Sequence, residues 1–369
     1  MDSLAALIPA AGYSSRMGLF KPLLPLGDSL VIEKTISAFL TAGVKNIYVI
    51  IGHNAHLLKP VVERMGAKWI ENTSYAQGMY SSVQAGTKIL PRGTKAFFLL
   101  PADTPLVRAE TIKKLIDLFK QDPAEVIFPV YSGQKGHPPL ISSQLCPKIL
   151  REEPAGGLKT LLNQAENIRL LNTGDEGILK DLDREEHYRQ MLPPAAAGYP
   201  TSSECEQILR KHNLPEPVIL HMQQVNKLAQ RIALYLNSCG YRLHLALLQA
   251  ACLLHDIAKG QKNHAEKGRQ LLEALGYWDV AALVATHMNL PAGHTQVDEA
   301  MLLFLADKMI EGTEIVSLEE KKSKRKEAFA GNPAAQQAVE VRLQKALFWQ
   351  QKVESIIGKP IMELAGESK

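Results

Sequence analysis

Two patterns of apolar and polar positions meet near residue 190. Before it, apolar runs of strand length occur at residues 4–9, 46–51, 68–71, 96–100 and 125–130. Stretches with helical spacing lie among them at 30–43, 79–90 and 109–120. Strands alternating with helix-length segments predict βαβ units, and hence an α/β domain over 1–190 with a mostly parallel sheet. Ligands of such a sheet bind at the C-terminal ends of its strands. Residues 191–203, MLPPAAAGYPTSS, have the composition of a linker. Beyond them strand signals fade. Helical patterns follow at 204–212, 218–239, 243–258, 264–275, 278–287, 298–310 and 333–357, so 204–369 is expected to be an all-α domain.

Composition adds limits. At 369 residues, 46% hydrophobic and 22% charged, the chain has material for two sizeable cores. A net charge of +4, with its basic residues dispersed, argues against a nucleic-acid partner. The run EEKKSKRKE (319–327) mixes both signs and reads as a solvated helix face. Cys146, Cys205, Cys239 and Cys252 form no C-x-x-C pair and read as reduced packing residues. No signal pattern opens the sequence, and no apolar run reaches the roughly 18 residues of a spanning helix. The expectation is a cytoplasmic protein with no membrane partner.

The densest candidate chemistry of the first half is PAAGYSSRMGLFK (9–21), directly after the first apolar run. A strand ending in Ala10, Ala11 and Gly12 lets backbone N–H groups approach phosphate oxygens, and Arg16 and Lys21 carry charge to neutralise them. This is the makeup of a nucleoside triphosphate site, with the spacing of neither the P-loop nor G-x-G-x-x-G. Asp103, just past the apolar run 96–100, stands where a metal ligand or a helix cap would. Asp181 and Asp183 are candidates for a second carboxylate, with Asp181 preferred; Met79 reads as core packing.

Residues 9–21 resemble the MobA-like nucleotidyltransferase signature G-x-S-x-R-M-G-x-x-K. The A-A-G opening is most similar to molybdenum cofactor cytidylyltransferases, because guanylyl-transferring relatives carry glycine where Ala11 stands. Five further segments follow the family order: GHNA (52–55), NTSYAQGMYSSVQAG (72–86), PADTPLV (101–107), GQKGHPPLIS (133–142) and DLDREEHY (181–188). Lys135 replaces the usual arginine of the fourth. The resemblance implies a Rossmann-like sheet of the nucleotide-diphospho-sugar transferase type. It also implies transfer of a cytidylyl group from CTP, or a nucleotidyl group from another NTP, to molybdopterin or another phosphorylated small molecule. Pyrophosphate is released, and molybdoenzyme maturation proteins are the implied partners. Arg16 and Lys21 would hold phosphates, and Asp103 with Asp181 or Asp183 would hold Mg²⁺. Asn72, Gly78, Ser81 and Ser82 would line the base and ribose side, and His137 and Pro138 the acceptor side.

Seven of the 11 histidines fall after residue 200. The dipeptide His255-Asp256 closes an apolar helical pattern, with His221 on an earlier helix and Asp307 on a later one. The order His…His-Asp…Asp resembles the HD superfamily of metal-dependent phosphohydrolases. That resemblance implies a divalent Mn²⁺, Fe, Ni²⁺ or Mg²⁺ held by His221, His255, Asp256 and Asp307. His264 and His287 stand where dinuclear members carry extra ligands. Asp256 would assist catalysis and Lys259 would contact a phosphate, whereas His212, His244 and His294 read as ordinary packing or surface residues. Together the halves predict a bifunctional enzyme. The alternative is a transferase for another acceptor, whose HD half is a non-catalytic nucleotide sensor.

Overall fold

The computed structural model describes residues 3–14, 17–152, 154–192, 198–328 and 333–366. The chain divides into two compact units, Met1–Tyr188 and Arg189–Lys369. Of the segment read as a linker, residues 193–197 lie outside the described residues. Tyr199 and Pro200 are buried, and Thr201 already caps a helix, Ser202–His212. Thr201 Oγ1 accepts from Glu204 N–H at 3.2 Å, and the Glu204 carboxylate accepts from Thr201 N–H at 2.6 Å. That reciprocal pair is a capping box.

In the first unit an eight-stranded sheet runs Ile168–Asn172, Val126–Tyr131, Leu140–Ser142, Ala96–Leu99, Leu4–Pro9, Asn46–Ile51, Lys68–Glu71, and Gln134–Lys135 pairs with Val126–Tyr131. Leu4–Pro9 is parallel to both neighbours. Every residue of it is buried, because strands flank it and helices cover both faces. A parallel strand covered this way reads as an unbroken apolar run. Leu140–Ser142 is antiparallel, and with Ile168–Asn172 it was not expected from the sequence. Three residues are too few to establish a period, and the edge strand exposes Arg169 and Leu170. The chain leaves Leu4–Pro9 towards Asn46–Ile51 on one side, while Ala96–Leu99 lies on the other. The crevice between the C-terminal ends of Leu4–Pro9 and Ala96–Leu99 is therefore a topological switch point.

Among the described residues the second unit is helical apart from a hairpin pairing Ile310–Glu311 with Glu314–Ile315. The 23-residue helix Glu216–Ser238 packs on Leu245–Leu254 and Glu299–Met309. Leu245–Leu254 closes before His255, four residues short of the predicted end, and His255 becomes its C-cap. Among the described residues none of the four cysteines is disulfide-bonded, and Cys205 and Cys252 are buried. No helix among the described residues is long and apolar enough to cross a membrane.

Candidate active sites

At the switch point the loops after Leu4–Pro9 and Ala96–Leu99 are joined by Ala102 N–H donating to Pro9 O at 3.0 Å. They border a cleft of about 520 Å³ lined by Ala10, Ala11, Gly12, Lys21, Asp103 and Asp183, among others. Lys21 is 9% exposed, and its Nζ lies 3.2 Å from Asp103 Oδ2 and 3.2 Å from Asp183 Oδ1. Leu182 N–H donates to Asp103 O at 2.9 Å and so ties the DLD segment to the Asp103 loop. Two carboxylates within reach of one cation, beside a loop of small residues, make a donor set suited to Mg²⁺ and phosphate. Arg16 lies outside the described residues.

The opposite wall starts at Gly78, with φ 99° and ψ −178°, a conformation open essentially to glycine alone. Gly78, Met79 and Ser82 line the cleft at the start of the helix Met79–Lys88. Met79 is 59% exposed there, which overturns its reading as core. Gly52 packs behind the lining residues Ala11 and Tyr75. A Cβ on it would lie 2.8 Å from both Ala11 Cβ and Tyr75 Cγ. Gly52→Ala is therefore expected to destabilise this unit by about 1–3 kcal/mol, read as a lower denaturation midpoint. An unchanged midpoint would contradict that packing.

In the second unit six side chains from five segments converge. His255 Nδ1 lies 2.8 Å from Cys252 O, and His287 Nδ1 2.7 Å from Val284 O. Each histidine is the C-cap of its helix and serves a carbonyl of the last turn. His221 Nδ1 lies 3.1 Å from Gly312 O, in the hairpin. A carbonyl only accepts, so Nδ1 carries the proton in all three rings, and in the neutral rings Nε2 is a lone pair. These Nε2 atoms face carboxylate oxygens: His221 lies 3.1 Å from Asp307 Oδ1, and His255 3.5 Å from the same oxygen and 3.6 Å from Asp256 Oδ2. His264 Nε2 and His287 Nε2 lie 3.3 and 3.7 Å from Asp256 Oδ1 and 3.2 Å from each other.

His255 Nε2 and Asp256 Oδ1 are buried without a hydrogen-bond partner. Lone pairs and carboxylates aimed at one another are repulsive unless a proton or a metal ion lies between them, and against the pull of burial Asp307 and Asp256 hold the His255 imidazole above its ordinary range. The arrangement fits one or two divalent ions, with the Gly312, Cys252 and Val284 carbonyls already holding three of the rings in direction. Two groups of three donors form, His221/His255/Asp256 and Asp256/His264/His287, with Asp256 common to both.

Comparison with known proteins finds a match in each unit. Residues 6–168 match the model of the MobA-like NTP transferase domain, and residues 218–311 that of the HD domain. The chain carries a MobA-like NTP transferase domain followed by an HD domain. The transferase half is similar to the molybdenum cofactor cytidylyltransferase of Escherichia coli, 27% identical over 188 residues, which are 51% of this chain and 95% of the relative. It is also similar to a 2-aminoethylphosphonate cytidylyltransferase of Lancefieldella rimae, 35% identical over 27% of this chain and 42% of the relative. A solved nucleotidyl transferase from Methanothermobacter is 21% identical, with a TM-score of 0.46 over 52% of this chain and 96% of its own.

Within the transferase domain Ala10, Ala11, Gly12, Lys21, Gly78, Ser82, Asp103 and Asp183 share the cleft. Asn72 and Ser81 do not line it. Asn72 is 5% exposed, and its Nδ2 donates to Ser81 Oγ at 2.8 Å and Ser82 Oγ at 3.0 Å, so it braces the loop from within. Asp181, the carboxylate preferred from the sequence, does not join Lys21; it is half exposed and 3.6 Å from His187 Nδ1. Asp181 and Asp183 flank buried Leu182, and only Asp183 comes within reach of Lys21.

His137 and Pro138 do not line this cleft. His137 lines a second cavity of about 480 Å³ with Lys135, Gly156 and Lys159, and Met79 and Pro101 border both spaces. Burial holds the His137 imidazole below its ordinary range, and its Nδ1 is buried without a hydrogen bond. The unfolded chain then binds more protons than the folded one below about pH 6.5, so His137 contributes stability above that pH and loses it as pH falls. An NMR titration is expected to place its midpoint below that of an exposed histidine; a midpoint above it would contradict the buried, neutral ring.

In the HD domain three of the six ligand candidates are nearly dry: His255 and His287 are 0% exposed and Asp256 1%. Burial by itself would raise both carboxyls. Lys308 and two histidines reverse this at Asp307, and His264, His287 and His255 do so at Asp256, which leaves both well below the ordinary range. Burial holds His287 low. His244 and His294 stand apart as expected, His244 capping Leu247 N–H at 3.2 Å and His294 facing Asp298 at 3.2 Å. Sequence reasoning missed Lys308, 7% exposed and paired with Asp307, although the two are adjacent in the chain. It also read Lys321 as a solvated-face residue. The side chain turns inward instead, donating to Lys308 O at 2.9 Å and Ile310 O at 3.0 Å at the end of Glu299–Met309.

Proposed function

We propose that the chain is a bifunctional enzyme in which the first domain transfers a cytidylyl group from CTP to the terminal phosphate of molybdopterin. The second hydrolyses a phosphate ester or nucleotide. The observation carrying the first part is Lys21 between Asp103 and Asp183 at the switch point. An acceptor phosphate oxygen attacks the α-phosphorus, the bond from that phosphorus to the bridging oxygen of the β-phosphate breaks, and the electron pair leaves with pyrophosphate. Lys21 and Arg16 neutralise the leaving group, and the ionised acceptor phosphate needs no strong protein base. A bound Mg²⁺ supplies charge stabilisation at the α-phosphate; Asp103 and Asp183 would hold it, with Asp181 as the further candidate. Gly78 and Ser82 line the base and ribose side. The His137 cavity, carrying Lys135 and Lys159, takes the acceptor. The choice of CTP is supported by Ala11, whose methyl occupies the space over Gly52, and by the name of the Escherichia coli relative.

For the second domain the carrying observation is the set of Nε2 atoms turned towards Asp256 and Asp307. A divalent Mn²⁺, Fe or Ni²⁺ in that cluster supplies Lewis-acid activation of water and of the phosphoryl group. His221, His255, Asp256 and Asp307 would hold one ion, and His264 and His287, through Asp256, a second. Asp256 orients the attacking water, and Lys259, 2.8 Å from Asp256, faces the phosphate.

The test is a screen of the full chain for phosphate release from nucleotides and phosphorylated pterins with Mn²⁺. Release that stops on chelation is expected. Ligand binding without release from any substrate would favour a sensor and overturn the hydrolase reading.

A further inference from the structure

Past residue 311, where the HD match ends, the chain adds the helices Leu318–Ala328 and Pro333–Ile357. Both return to the His/Asp cluster. The cleft of about 490 Å³ onto which His221, Asp256 and Asp307 open is also lined by Lys321 and Arg342 from these helices. Its other cations are engaged: Lys259 with Asp256, Lys308 with Asp307, and Lys321 with two backbone carbonyls.

Arg342 differs. Its Nε donates to Asn289 Oδ1 at 3.0 Å, two residues beyond His287, so the guanidinium is anchored by one edge. Among the described residues its Nη1 and Nη2 have no hydrogen-bond partner, and no carboxylate lies within 4.0 Å of it. The group is half-buried, and burial lowers its pKa. A partly desolvated guanidinium with its terminal fork free is the arrangement that takes a phosphate bidentately.

We propose that Arg342 is a specificity-determining residue that binds a second phosphoryl group of the ligand held at the His/Asp cluster, so that this cleft is built for a diphosphate. The inference rests on the hydrolase reading for the role of the cluster, and on Arg342 for the second anion. A monophosphate fills the cluster and leaves the fork uncompensated, whereas two linked phosphoryl groups occupy both. The diphosphate has two sources, free pyrophosphate or the diphosphate of a nucleotide.

The test is calorimetric titration of the full-length, Mn²⁺-loaded protein in a Lys21→Met background, which weakens competing binding in the transferase cleft. The probes are inorganic phosphate, imidodiphosphate and α,β-methylene-CDP, the last two resistant to hydrolysis at the bridge. Arg342→Gln is expected to weaken at least one diphosphate probe about 10- to 100-fold and phosphate by less than about threefold. Arg342→Lys, with charge but no fork, should fall between. Lys345 ties the same helix to the same loop, donating to Leu290 O at 3.0 Å and Pro291 O at 3.1 Å. Lys345→Gln should therefore leave both affinities unchanged if the fork, and not the fixing of the helix, does the binding.

The tighter of the two diphosphate probes identifies the source. Equal losses for phosphate and diphosphate, a loss reproduced by Lys345→Gln, or no diphosphate binding would overturn the proposal. Arg342-dependent binding without hydrolysis of any substrate would overturn the hydrolase reading alone.

Discussion

Asp103→Ala is expected to lower nucleotidyl transfer by about 10²- to 10⁴-fold, because charge stabilisation worth several kcal/mol is lost and each ~1.4 kcal/mol is a decade. Asp103 faces the cleft from the loop after Ala96–Leu99, and its Oδ2 is 3.2 Å from Lys21 Nζ. Alanine leaves Lys21 with Asp183 alone and removes one of the two carboxylates that converge there. The loss should fall on kcat, since the interaction matters most when charge develops on the leaving pyrophosphate. Metal content and hydrolysis in the HD domain should not change. Pyrophosphate release and phosphate release, assayed on the same preparation, give the check; loss of both activities in a folded protein would contradict two separate sites.

Asp256→Asn should have the opposite pattern. Its two oxygens serve two sets of histidines, with His264 3.3 Å from Oδ1 and His255 3.6 Å from Oδ2. The amide keeps the shape, replaces one oxygen by a donor and removes the charge. Even outer partners of metal ligands cost 10- to 100-fold in affinity, so this loss should be at least about 100-fold, with hydrolysis lost in proportion. Elemental analysis after dialysis reads it directly. Undiminished metal in the folded variant would mean that Asp256 is not a ligand.

The sequence revealed those parts whose chemistry is concentrated locally. An unbroken apolar run followed by small residues and Lys21 marked the strand and loop that border the first cleft, because a doubly covered parallel strand has no polar face to interrupt it. The choice between Asp181 and Asp183 was not legible. They stand two residues apart in the same DLD segment, and only the reach of Lys21 separates them. In the second domain His255-Asp256 was legible as a dipeptide, but the direction of its ring was not. Direction comes from backbone carbonyls such as Cys252 O, and a carbonyl carries no residue identity. Arg342 was hidden for another reason: 35 positions of chain separate it from Asp307, and within its helix it reads as one more exposed cation.

The most direct test of the account is pyrophosphate release by the full-length chain with Mg²⁺, scanned over CTP, GTP, ATP and UTP with and without molybdopterin. Release that requires the acceptor, is fastest with CTP and disappears in Asp103→Ala is the predicted result. Fast CTP turnover indifferent to molybdopterin would redirect the acceptor assignment. No acceptor-dependent release from any nucleotide, by molybdopterin or any other phosphorylated acceptor tried, would contradict the account.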